Sequence, residues 1–220
     1  MQEYNINKPL AMTTKTDVAS LKKEIKYLEL LAKSFPSIPA ASTEIINLKA
    51  ILELPKGTEH FLADIHGEDE AFIHVLKNAS GTIKKKVEEL YGQTLREKEI
   101  KQLCSLIYYP GEKLQLIKRK EKNISDWYLV TLNQLIKVLQ KVTLKYTRSK
   151  VQKSLPPEFA YIIQELLHES SINPHKSDYI DAIFNSIIST GVADDFIIAI
   201  CESIQRLAID KLHVVGDVYD

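Results

Sequence analysis

Two short segments of this 220-residue chain carry side chains of the kind that hold divalent cations. In Asp64-Ile65-His66 a hard carboxylate and a borderline imidazole occupy alternate positions, so both can reach one ion from a turn. In Gly216-Asp217-Val218-Tyr219-Asp220 a glycine lets the backbone turn closely, and the Asp217 carboxylate could bridge two ions. Two ions about 3.5–4 Å apart would bind a phosphate, polarise its phosphorus and lower the pKa of a bridging water. Either pattern alone is common in loops. The weight lies in their occurring together, in this order, each after an apolar run.

Those runs are the elements that must position the ligands. His60-Phe61-Leu62-Ala63-Asp64-Ile65 is short, apolar-rich and turn-bounded, as is Leu212-His213-Val214-Val215, and both read as buried strands ending at a polar tip. If the acidic tips are to converge, the strands lie side by side and parallel, with the ligands at their carboxyl ends, where open α/β sheets place their sites. A parallel crossover needs only about a dozen residues, and the stretch between these strands is far longer. Its apolar residues recur every three or four positions, the period of one buried helix face.

The clearest helix starts at Ser125 and carries Tyr128, Leu132, Leu135, Leu139, Val142 and Tyr146, which predicts a helix to about Arg148. Before the first strand, Val18, Leu21, Ile25 and Leu28 form one stripe, and Ile45, Leu48 and Leu52 a second that stops at Pro55-Lys56-Gly57. Thr94 and Glu97 read as a capping box, and Gly92, Pro156-Pro157 and Pro174 as helix punctuation. Cys104 and Cys201 sit on apolar stripes and read as small core residues. His60 and His213 read as packed or hydrogen-bonded; His74, His168 and His175 have no acid at ligand spacing.

Composition narrows the function. There are 29 basic and 29 acidic residues, so no net field draws the chain to nucleic acid or an anionic membrane. Lys84-Lys85-Lys86 and Lys118-Arg119-Lys120 have acidic neighbours and read as solvated helix faces. No apolar stretch approaches the roughly 20 residues of a membrane span. With a polar start and two cysteines, a soluble, cytoplasmic protein is expected.

The order Asp-x-His then Gly-Asp-x-x-Asp looks like the first two motifs of calcineurin-like metallophosphatases, in which an Arg-Gly pair normally follows. More specifically, Tyr27-Leu28-Glu29-Leu30-Leu31, Phe35-Pro36, Thr43-Glu44-Ile45-Ile46-Asn47-Leu48 and Leu54-Pro55-Lys56-Gly57-Thr58-Glu59-His60-Phe61 resemble the N-terminal region of class 3 fructose-1,6-bisphosphatases. Asp64-Ile65-His66-Gly67-Glu68, Ala71-Phe72 and Asn78-Ala79-Ser80-Gly81 do likewise.

The resemblance implies a mainly α fold with a few parallel strands, a partial α/β metallophosphatase core interrupted by a large helical insertion. Residues 1–67 would hold the N-terminal helices and first strand, 68–209 the insertion, and 210–220 the second strand. It further implies hydrolysis of the 1-phosphate of fructose 1,6-bisphosphate in gluconeogenesis, with two Mn2+ ions in the complete site. Asp64 and His66 would ligate the first ion, Asp217 would bridge both, and Asp220 would orient groups near the leaving oxygen. The insertion would cap the substrate or form a homo-oligomer contact. The motifs beyond Asp220 are absent, so this chain alone is expected to be inactive. Two rival readings are a helical interaction scaffold without catalysis and another phosphoesterase of the same fold.

Overall fold

The computed structural model describes residues 25–168 and 176–219. Val18, Leu21, Pro174, His175 and Asp220 lie outside the described residues. The chain divides into two compact units, 1–54 and 55–220. The second contains both strands and all the described helices between them.

In the first unit, α1 (Ile25–Ser34) and α2 (Ile38–Leu52) are helical. The Ser37 hydroxyl caps α2 by accepting the Ala40 N–H at 3.3 Å, and Pro39 sits in the first turn, where its missing donor costs nothing. Neither helix buries a residue, and Leu30, Ile46 and Leu52 are exposed.

The second unit begins with β1 (Glu59–Ala63) and ends with β2 (Lys211–Val215). Between them run α3 (Asp69–Asn78), a 3-10 turn (Ala79–Gly81), α4 (Thr82–Tyr91), α5 (Glu97–Tyr108), α6 (Pro110–Lys120), α7 (Ile124–Thr143), α8 (Arg148–Ser154), α9 (Ala160–His168), α10 (Ser177–Ser189) and α11 (Ala193–Ala208). The strands pair in parallel, from Glu59 opposite Lys211 to Ala63 opposite Val215. The expected mainly helical fold with adjacent parallel strands is therefore observed.

The core is helical, with α7 against α11 at its centre: Leu132, Leu135 and Leu139 meet the layer of Ile197, Ile200 and Ile204, all fully buried. Each such side chain contributes about 1.5–3 kcal/mol by leaving water. Cys104 and Cys201 are buried and unpaired within this core, as their stripes predicted. No single described helix is long and apolar enough to cross a membrane; α10 and α11 pass that test only together, across a 116° bend.

Local structure departs from the sequence expectation in four places. The apolar period of α7 continues to Tyr146, but the helix stops at Thr143. There the Tyr146 N–H donates to Thr143 O, its hydroxyl donates to Leu207 O at 2.9 Å, and the Thr147 side chain caps α8. Tyr146 thus packs on α11 from a turn. The capping interaction of α5 lies two residues later than Thr94 and Glu97 suggest: the Arg96 N–H donates to Glu99 Oε2 at 2.9 Å. A guanidinium has no acceptor, so only that half of a capping box forms. Gly92 follows α4 in right-handed helical conformation, with no left-handed cap. Pro156 sits in a turn before α9, its carbonyl accepting the Phe159 N–H.

Candidate metal centre

At the carboxyl end of the strand pair the two predicted ligand loops run alongside each other. The Asp64 N–H donates to Val215 O at 3.3 Å, the Ile65 N–H to Asp217 O at 2.7 Å and the Gly67 N–H to Val218 O at 3.1 Å. The side chains join in: the Asp217 N–H donates to Asp64 Oδ1 at 3.3 Å, between residues 153 apart in sequence. A carboxylate oxygen can lie no more than about 5 Å from its own amide nitrogen. With the 3.3 Å bond from the Asp217 N–H to Asp64 Oδ1, the two carboxylates are therefore within about 10 Å of one another.

This approach depends on unusual backbone. Asp64 (φ 53°) and His66 (φ 49°) are left-handed, as are Gly67 (φ 69°) and Gly216 (φ 79°). Asp and His tolerate that region better than most residues, but left-handed backbone at a non-glycine position still costs about 1–2 kcal/mol. A Cβ at Gly216 would collide with the Asp64 carboxylate, so the glycine is what lets that carboxylate reach the second loop.

The donor set remains partial. Among the described residues no three His, Cys, Asp or Glu side chains stand close enough together to hold a metal ion. Asp64 and Asp217 are brought together as hard oxygen donors suited to a divalent ion. His66 lies in the same turn, and Asp220 is outside the described residues.

At the opposite end of the sheet is a cluster that sequence reasoning missed. The Asp210 carboxylate, 11% exposed, lies 2.8 Å from Lys145 Nζ and 2.8 Å from Lys150 Nζ and accepts the Thr58 N–H at 2.8 Å. Lys145 also donates to Thr58 Oγ1 and to Ala208 O. The Asp210 N–H donates to Thr58 O, so one residue ties the foot of β1 to the foot of β2 and both to the end of α7. Burial opposes ionisation of Asp210, but hydrogen bonds from Lys145, Lys150 and the Thr58 N–H outweigh it and hold the carboxyl below the ordinary range. A Cβ at Gly57 would strike this carboxylate. The register that brings Asp64 to Asp217 is set here.

The remaining histidines take structural roles. His213 stacks on Phe61 with ring centroids 4.5 Å apart and bonds Glu59 at 3.1 Å; His74 Nδ1 lies 2.6 Å from the Tyr109 hydroxyl. His60 has Nε2 3.4 Å from Thr82 Oγ1, whereas its buried Nδ1 has no partner among the described residues. Burial, then the nearby Lys145 charge, lowers its pKa.

Residues 26–220 match the family described as Firmicute fructose-1,6-bisphosphatase. The chain is similar to fructose-1,6-bisphosphatase class 3 of Bacteroides fragilis, 67% identical over 211 residues, which is 95% of this chain and 32% of that protein. The protein of that name in Porphyromonas gingivalis is 68% identical over 200 residues, 91% of this chain and 30% of its own length. A Clostridium beijerinckii relative is 57% identical over 197 residues, 90% of this chain and 30% of its own length. The chain thus spans about a third of the length of the curated relatives it matches. No solved structure matches it.

Proposed function

The chain belongs to the Firmicute fructose-1,6-bisphosphatase family, and on that premise we propose that it supplies the first metal-binding loops of an enzyme releasing the 1-phosphate of fructose 1,6-bisphosphate. The reaction gives fructose 6-phosphate and phosphate, in cytoplasmic gluconeogenesis. The observation that carries this reading is the Asp217 N–H to Asp64 Oδ1 bond, which joins the two motif loops across the paired strands.

Asp64 and His66 would hold one divalent ion, Asp217 would stand between two, and Asp220 would orient groups near the leaving oxygen. Bound Mn2+ would supply Lewis-acid polarisation of the ester and a water of lowered pKa. This chain's own part is to present its carboxylates on a turn fixed by the β1–β2 register, so that they are in place before substrate arrives. The helices of 68–209 would cap the substrate or join subunits, which sedimentation of the extended chain distinguishes.

With two described carboxylates and one imidazole, this chain alone has too few donors for two ions. It should therefore show negligible turnover of fructose 1,6-bisphosphate even in excess Mn2+. A version extended through the remainder of the relatives' length should release phosphate in a Mn2+-dependent way, and Asp217→Asn should abolish that release without changing the helical circular dichroism. Turnover by the 220-residue chain, or undiminished turnover by the extended variant, would sink the two-metal reading.

A further inference from the structure

Away from the ligand loops, α5, α6 and α7 enclose a groove of about 700 Å³. Pockets that take small molecules run to about 300–1,000 Å³ and combine apolar walls with a few convergent polar groups. Here the walls are aliphatic: Leu95, Leu103, Leu106, Leu116, Ile117 and Val130 line them, together with the indole of Trp127. Leu116 is 46% exposed and Val130 57%, so nothing among the described residues covers this apolar surface.

The polar groups of the groove are unmatched and mostly cationic. Lys98, Lys113 and Lys120 line it and form no ion pair among the described residues. Its other charges are committed: Lys101 is held by Glu97 at 2.7 Å, Glu99 by Arg96 at 2.9 Å, and Glu121 accepts the Lys122 N–H at 3.1 Å. Thr131, on the α7 wall, is only 4% exposed, yet its hydroxyl has no hydrogen-bond partner among the described residues. A polar group so far removed from water is ordinarily paired, and leaving it unpaired is unfavourable. One end of the groove is fixed by the turn between α5 and α6. The Tyr109 N–H donates to Ser105 O and the Lys113 N–H to Tyr109 O, both at 3.0 Å, so the two lining residues Ser105 and Lys113 flank that turn.

We propose that this groove binds an amphipathic carboxylate of the fatty-acid type. The acid head sits at the end flanked by Ser105 and Lys113, where the ammonium neutralises it and the hydroxyl donates to it; it also gives Thr131 the acceptor that residue lacks. The aliphatic tail lies along Leu116, Ile117 and Val130 beside Trp127. Unpaired positive charge selects an acid over a neutral alcohol of the same length, and the aliphatic walls select it over a small, strongly hydrated anion. None of Asp64, His66 and Asp217 lines the groove, so the proposal stands independently of the metal reading.

Trp127 is the only tryptophan of the chain, so its fluorescence reports on this groove directly. Titrating the 220-residue chain with decanoate, below the concentration at which the acid forms micelles, should change that emission saturably. Lys113→Gln and Leu116→Glu should each weaken binding by about 10-fold or more, with the helical circular dichroism unchanged. Lys137→Gln, at an exposed α7 lysine outside the groove, should leave the affinity as it was. Decanol and inorganic phosphate should each bind at least about 10-fold more weakly than decanoate. Absence of a saturable change, equal binding of decanol or of phosphate, or decanoate binding that survives both groove substitutions overturns the proposal.

Discussion

At the scale of single residues, the site depends on positions that carry no donor atom of their own. Gly216→Ala would set a methyl against the Asp64 carboxylate and force alanine into left-handed backbone. It should lower stability by at least about 1–2 kcal/mol and speed exchange of the Ile65 and Gly67 amides, which bond the second loop. Urea titration and residue-resolved exchange measure the two effects; an unchanged exchange rate at Ile65 would show that the loops do not depend on this approach.

Asp210 should matter more. Its partner Lys145 is only 18% exposed, so Asp210→Ala would strand a half-buried cation and cost on the order of 3–5 kcal/mol. Lys150→Ala, at a position 52% exposed, should cost about 0–1 kcal/mol. Because the folded state holds the Asp210 carboxyl below its unfolded value, its contribution is complete above the unfolded pKa and is lost as pH falls through the folded one. His60 adds a loss at milder acidity: its folded pKa is lowered, so the unfolded chain takes up protons first and stability falls as pH drops below about 6.5. His60→Gln should flatten that part of the urea-midpoint profile and leave the Asp210 part intact.

At the scale of elements, the two strands and their parallel pairing were legible because an apolar run ending in ligand-type residues reads as a strand with a functional tip, but the expected burial was wrong: every residue of both strands is exposed or only partly buried. The α7 stripe was legible from its unbroken helical period, and three of its residues, Leu132, Leu135 and Leu139, are fully buried. Its end was not legible, since the apolar period runs on to Tyr146 while the hydroxyl of that residue and the Thr147 cap decide for a turn. The Asp210 cluster was hidden because its partners lie at positions 58, 145 and 150, and ion pairs leave no periodic trace in a sequence. The left-handed Ala79-Ser80 pair, held by the Asn78 side chain accepting the Gly81 N–H at 3.0 Å, was equally silent, because neither residue type announces that conformation. Leu135→Ala, in the α7–α11 contact, should cost about 2–5 kcal/mol through lost burial and a residual cavity. Leu144→Ala, on the same stretch of chain but 75% exposed, should change the urea midpoint by little.

At the scale of the whole molecule, a helical unit with a well-packed core carries a pair of parallel strands among the described residues. Core packing and the Asp210 anchor fix the feet of the strands, the register carries that order to their tips, and the tips bring two motifs 153 residues apart to one place. Those loops should then form a single ion-binding locus. Titration of the isotopically labelled 220-residue chain with Mn2+ tests this most directly, because the paramagnetic ion broadens amide resonances near where it binds. Broadening should centre on Asp64 to Gly67 together with Gly216 to Tyr219 and be weakened by Asp64→Asn and by Asp217→Asn alike. Broadening confined to one of the two loops, or centred elsewhere on the chain, would contradict it.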